Sequence, residues 1–84
     1  GVGNSQEIQA SDGNSSTQNL GVTRGDGFCF VTKHHAAPYN NANTSSLATR
    51  CEVSVGSSAS SSWELTAATG SRTAVYCAAR CITF

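Results

Sequence analysis

Apolar and polar residues alternate with a period of two in four segments between Phe28 and the end of the chain, separated by one long connection and two short polar ones. Phe28-Cys29-Phe30-Val31-Thr32-Lys33, Arg50-Cys51-Glu52-Val53-Ser54-Val55 and Ser62-Trp63-Glu64-Leu65-Thr66-Ala67 each predict a strand, and Thr73 to Phe84 predicts a longer fourth. Between the second and third lies Gly56 to Ser61, and between the third and fourth Thr69 to Arg72. Both are short, polar and Gly-containing, as hairpin connections are. Helix is disfavoured by the density of Ser, Thr and Gly and by β-branched residues at alternate positions. The expected fold is all-β: a small disulfide-stapled, four-stranded antiparallel meander over residues 28–84.

Residues 1–27 lack this alternation. Their sizeable apolar side chains are Val2, Ile8, Leu20 and Val22, among Gly, Asn, Ser, Gln and Thr. Alone, such a stretch buries too little surface to offset its ordering entropy. It is expected as an extended N-terminal leader, flexible or ordered only against something else. A neighbouring copy is one such partner, making residues 1–22 an intersubunit arm. The connection from Ala36 to Thr49 is long and holds the only proline, Pro38. Loops of this length are often functional. Tyr39 would be a stacking platform there, with Asn40, Asn41 and Asn43 as partners for ligand hydroxyls.

Strand phase places all four cysteines on one face. That face collects Cys29, Val31, Cys51, Val53, Val55, Trp63, Leu65, Val75, Cys77, Ala79 and Cys81, which makes it the core. Cys77 and Cys81 are four residues apart, about 13 Å on an extended strand, whereas a disulfide needs Cα atoms within roughly 7 Å. In an up-down meander the start of the first strand lies level with the end of the fourth. The pairing favoured is therefore nested, Cys29 with Cys81 and Cys51 with Cys77. On chain-entropy grounds these rings contribute at most about 4 and 3.5 kcal/mol. The opposite face is also partly apolar, with Phe28, Phe30, Tyr76, Ala78, Ile82 and Phe84. It packs under the leader or the long loop, or it meets another subunit.

Composition sharpens this picture. Ser, Thr, Asn and Gly make up 36 of the 84 residues, so the core is small and covalent staples matter. An even number of cysteines in so short a chain points to an oxidising compartment outside the cytosol: extracellular, at a cell surface or on a virion. Five basic residues balance five acidic ones. There is no basic field for phosphate, and nucleic acid is a poor partner. No apolar run approaches the ~20 residues of a membrane span. The chain starts at Gly1 without initiator Met or signal peptide, as expected of a product trimmed from a longer precursor.

Catalytic chemistry finds little support. His34 and His35 are adjacent on a strand and point to opposite faces, so they do not readily share a metal ion. Cys77-x3-Cys81 has single, distant partners, unlike the paired motifs of structural zinc. No serine lies in a Gly-x-Ser-x-Gly elbow. Glu52 and Glu64 fall on the outward faces of adjoining strands, offset by Arg50, Arg80 or solvent, and form no obvious catalytic pair. The chain is expected to be non-enzymatic, with no cofactor or metal. Arg24-Gly25-Asp26 spells the integrin-recognition tripeptide, but Gly-Asp-Gly before a strand is ordinary turn chemistry. Asn14-Ser15-Ser16 and Asn43-Thr44-Ser45 fit the N-glycosylation sequon.

Thr73 to Arg80 looks like the end of an immunoglobulin variable domain, but the tyrosine of that motif stands two residues before the cysteine, where this chain has Val75. A second likeness extends further. Gly27-Phe28-Cys29-Phe30-Val31-Thr32, Glu52-Val53-Ser54-Val55, Ser62-Trp63-Glu64-Leu65 and Ala78-Ala79-Arg80-Cys81 together resemble a small Cys-bracketed β-domain found at the C-termini of bacterial and phage surface and fibre proteins. The two outer cysteines are shared, whereas Cys51 and Cys77 are an added pair. The resemblance implies a surface-displayed structural or receptor-facing module without known chemistry. The expected function is an extracellular structural subunit that assembles with copies of itself into a filament, fibre or virion surface. Phe28, Phe30, Tyr76, Ile82 and Phe84 would be its contact face. The alternative is a tip module binding a carbohydrate or a cell-surface receptor through the Tyr39 loop.

Overall fold

Val75, Cys77, Ala79 and Cys81 alternate along the strand that organises the molecule. The computed structural model describes residues 1–39 and 48–84. Its six strands are β1 (Gln6–Ser11), β2 (Ser15–Thr23), β3 (Gly27–Pro38), β4 (Thr49–Ser54), β5 (Ser62–Thr69) and β6 (Thr73–Thr83). They form two antiparallel three-stranded sheets, ordered β1-β6-β3 and β2-β5-β4. Being central, β6 is covered on both flanks, and even its outward Ala74 and Ala78 are buried between the neighbouring strands.

This two-sheet arrangement replaces the expected four-stranded meander with an extended leader. The four expected strands are present as β3 to β6, but β5 and β6 face each other across the core instead of pairing. Thr69 to Arg72, expected as a hairpin, is thus an arch between sheets, and only β4 and β5 are joined as a hairpin. The physical reason is burial. A single sheet would leave one apolar face open to water, whereas two sheets enclose Leu65 and Val75 completely. Residues 1–27 supply the two strands that complete the sheets, and they send Ile8, Ala10, Leu20 and Val22 into the core.

Both expected disulfides are present. Cys29–Cys81 links directly opposed residues of β3 and β6 within one sheet. Cys51–Cys77 joins β4 to β6, and therefore one sheet to the other, with Cα atoms 5.5 Å apart. Polar side chains close the flanks. Gln6 donates Nε2 to the Leu20 carbonyl at 2.9 Å and accepts from Gln18 Nε2 at 2.8 Å, bridging β1 and β2. On the other flank, His34 Nε2 meets Thr49 Oγ1 at 2.8 Å.

The turns fix the two ends. At one, Asp12 and Gly13 both have positive φ (53° and 80°), which suits a tight reversal and favours glycine at the second position. The Asp12 carboxylate accepts the Arg72 N–H at 3.2 Å, and the Asp12 N–H donates to the Thr73 carbonyl at 2.9 Å. These bonds tie the β1–β2 turn to the β5–β6 turn. At the other end, Trp63 Nε1 donates to the Gly27 carbonyl at 2.9 Å and its ring meets Phe28 edge-on. Gly27 there has no room for a side chain: a Cβ would stand 2.5 Å from the Ile82 carbonyl oxygen and 2.7 Å from Val22 Cγ1. Gly27→Ala is expected to destabilise the fold by about 2 kcal/mol through overpacking. Urea unfolding would show it as a lower midpoint at an unchanged slope, and an unchanged midpoint would refute it.

Candidate functional site

The outward faces of the two sheets differ in chemistry. On the β2-β5-β4 sheet, register sets Ser15, Ala68 and Arg50 in one row, Thr17, Thr66 and Glu52 in the next, and Asn19, Glu64 and Ser54 in a third. Thr17 and Thr66 hydroxyls lie 3.2 Å apart. Apart from Ala68, this face is polar, and a polar outer face is ordinary for an antiparallel sheet. Glu52 and Glu64 point outward as expected; Arg80, expected to offset them, lies on the other sheet.

The β1-β6-β3 sheet presents apolar side chains at one end. Ile82 is opposed by Phe28 on one side and by Val2, in an isolated bridge, on the other. The three therefore share a row across the outer face. Phe30 stacks on Phe28 with ring centroids 6.2 Å apart, opposite Arg80. Phe84 lies beyond the strand end, its N–H donating to the Asp26 carbonyl at 2.9 Å. Relative exposures are 62% for Val2, 50% for Phe28, 39% for Ile82 and 87% for Phe84. Four large apolar side chains so exposed at one end of one face make a patch, not scattered singles.

Of the residues expected as a contact face, Phe28, Phe30 and Ile82 are brought together, and Phe84 adjoins them. Tyr76 is on the same outer face but in its polar half. Its ring lies beneath Lys33 Nζ at 5.9 Å and beside His35 at 5.8 Å. Lys33 also reaches Glu7 at 3.4 Å, an exposed pair that contributes under about 1 kcal/mol. Val2 joins the patch without having been anticipated. A lone valine between glycines carries no periodic signal, and only chain pairing at Gly1, Val2 and Gly3 along the end of β6 brings it there.

The other candidate residues fall elsewhere. Tyr39 is exposed, and its N–H donates to the Arg72 carbonyl at 2.9 Å; Asn40, Asn41 and Asn43 lie outside the described residues. Arg24-Gly25-Asp26 forms a turn closed by Asp26 N–H on the Thr23 carbonyl, and it is fastened to the β4–β5 hairpin by Arg24 and Gly25 N–H on Ser61 and Ala59 carbonyls. The Arg24 guanidinium donates to the Gly56 carbonyl at 3.1 Å. Asn14 is exposed in the β1–β2 turn. His34 and His35 face opposite ways, one to Thr49 and the other to Tyr76. An open cleft of about 480 Å³ runs between residues 1–6 and β2, over Leu20, Val22 and Cys81, and no charged side chain lines it. Compared with protein-family models, curated proteins and solved structures, the chain matches none.

Proposed function

We propose that the protein is a non-enzymatic extracellular structural subunit that associates with copies of itself. One observation carries this reading: of two outer sheet faces, one is polar apart from Ala68 and the other bears Val2, Phe28, Ile82 and Phe84 exposed together. Exposed apolar surface of this kind gains free energy when a partner covers it. The two disulfides suit an oxidising, extracellular environment. The resemblance of the Phe28 to Thr32 and Ala78 to Cys81 segments to terminal domains of bacterial and phage surface proteins agrees with a displayed, structural role. A second reading, a carbohydrate- or receptor-binding tip, has the exposed Tyr39 in its favour.

Ile82 is central in the apolar row and faces out, so Ile82→Lys should leave the core intact. Sedimentation equilibrium of the oxidised protein is expected to show association rising with concentration, and at least tenfold weaker association for Ile82→Lys at a melting temperature within a few degrees of the parent. A parent that stays monomeric at millimolar concentration overturns self-association. Equal association of parent and variant moves the contact off this face.

A further inference from the structure

Resting on that reading of self-association, we propose that two copies pack their apolar sheet faces together about a twofold axis along the row of Phe28 and Ile82, so that Arg80 of each copy meets Asp26 of the other. The axis lies in the plane of contact and crosses the strands. Rows of side chains at the apolar end define the face. Phe28 and Ile82, with Val2 beyond them, make the middle row. Phe30 and Arg80 make the row on one side of it. Asp26 and Phe84 make the row on the other. Gly27 pairs with Thr83, and the Phe84 N–H on the Asp26 carbonyl carries that ladder one pair further. Side chains alternate faces along a strand, so Asp26 and Phe84 stand on the same face as Phe28 and Ile82.

Arg80 and Asp26 are both exposed, and neither is in an ion pair; among the described residues the ion pair is Lys33 with Glu7. One Asp26 oxygen accepts from the Thr23 hydroxyl at 3.1 Å, which leaves the other for a partner. The Arg24 guanidinium, nearest to Asp26 in sequence, is turned instead to the Gly56 carbonyl. A cation and an anion thus flank the apolar row from opposite sides, one on β6 and the other at the entry to β3.

Charge selects the register. A twofold axis along β6 would set Arg80 of one copy on Arg80 of the other, as would an axis along the Phe30 and Arg80 row, and like charges so placed are costly. An axis along the Asp26 and Phe84 row would oppose two carboxylates and carry the middle row past the other copy's end. An axis along the middle row exchanges the outer two. Arg80 then lies over Phe84 of the other copy, with Asp26 of that copy one strand spacing to the side, about 5 Å, within an arginine's reach. A guanidinium on an aromatic ring and against a carboxylate is a favourable arrangement. Val2, Phe28 and Ile82 meet their own counterparts and leave water together. Glu7 and Lys33, further along the face, already pair with each other and need nothing from the other copy.

The test is sedimentation equilibrium of the full oxidised chain and of charge-exchanged variants. Arg80→Asp and Asp26→Arg are each expected to self-associate about tenfold or more weakly than the parent. Mixed in equal amounts, the two should associate about as tightly as the parent, since a face with two anions then meets one with two cations. The doubly exchanged chain keeps the parent's net charge and reverses both pairs, and it should match the parent to within about threefold. Arg50→Asp makes the same charge change on the polar sheet and should leave association unchanged; a loss equal to that of Arg80→Asp would make the effect one of net charge and overturn the register. A parent that associates while the doubly exchanged chain stays as weak as the single variants overturns the register and leaves self-association standing. So does Arg80→Asp associating as tightly as the parent. A parent monomeric at every concentration overturns both. Should Asp26→Arg fail to fold, isotope-filtered NMR of the associated, half-labelled parent decides. Arg80 and Phe84 are four residues apart, about 13 Å along an extended chain, so a nuclear Overhauser contact between them arises only between copies, and its absence overturns the register.

Discussion

Replacing Cys51 and Cys77 together by alanine is expected to lower stability by about 3.5 kcal/mol, the loop-closure value for a ring of their spacing. The melting temperature should then fall by roughly 15–25 °C in a domain of this size. This bridge matters more than its ring length suggests, because it is the covalent tie between the two sheets, from β4 at one edge to β6 at the centre of the other. A core this small seldom supplies more than about 3–5 kcal/mol, so the double variant should be largely unfolded at physiological temperature. The outer bridge alone is a longer ring, worth about 4 kcal/mol by the same relation. The two come close to adding. With Cys51–Cys77 closed, the path left for Cys29–Cys81 is the 22 residues to Cys51 and the 4 from Cys77, half the full ring, and halving a loop lowers the closure term by only about 0.6 kcal/mol. Thermal unfolding of the two double-alanine variants and the parent would measure this. A loss below about 1 kcal/mol for the inner pair would refute the inter-sheet role.

Leu65→Ala is expected to cost about 3 kcal/mol, as removal of a fully enclosed leucine does when the site collapses only in part. Leu65 has no exposed surface and sits mid-strand in β5, between Gln18 and Val53, facing the sheet that carries Val75 and Cys77. Its neighbours include alanines such as Ala67 and Ala79, which are too short to fill the space left behind. Glu64→Ala, one residue away on the outer face, should change stability by less than about 0.5 kcal/mol. Chemical denaturation of the pair gives the contrast directly, and equal losses would mean the inward and outward phases of β5 are misassigned.

Half of the sandwich was legible in the sequence, and it was the half in which alternation is strong. In β3 to β6, cysteine, valine, tryptophan and leucine recur at every second position, so the inward face followed from phase; the nested disulfides followed from that phase together with the strand levels of an up-down meander, and they are present although the meander itself is replaced by two sheets. In β1 and β2 the same phase is present but faint. Ile8 and Ala10 in one, and Leu20 and Val22 in the other, are inward pairs, but the inward positions before them hold Gln6 and Gln18. Those glutamines satisfy each other and the Leu20 carbonyl across the flank, a three-dimensional solution that in one dimension looks like the end of a pattern. The partition into two sheets was hidden for a related reason. Thr69 to Arg72 has the composition of a hairpin, but the bonds that hold it as an arch come from Asp12 and Gly13, 60 and 57 residues away from their partners Arg72 and Gly70. The patch was partly legible: Phe28, Phe30 and Ile82 followed from strand phase, while Val2 depended on chain pairing that no local pattern encodes.

The Cys29–Cys81 bridge also governs how the molecule responds to force. Tension applied between residues 1 and 84 bypasses everything from Cys29 to Cys81, because the load crosses the sulfur–sulfur bond there. Only the 28 residues before Cys29 and the 3 after Cys81 can be drawn out, roughly 110 Å of chain, whereas a reduced chain would yield about 290 Å. β1 and β2 are thus the extensible part, and β3 to β6 form a loop that carries no pull. In a row of such units, stretch would be taken up by the polar first third of each, and the stapled remainder would keep its shape.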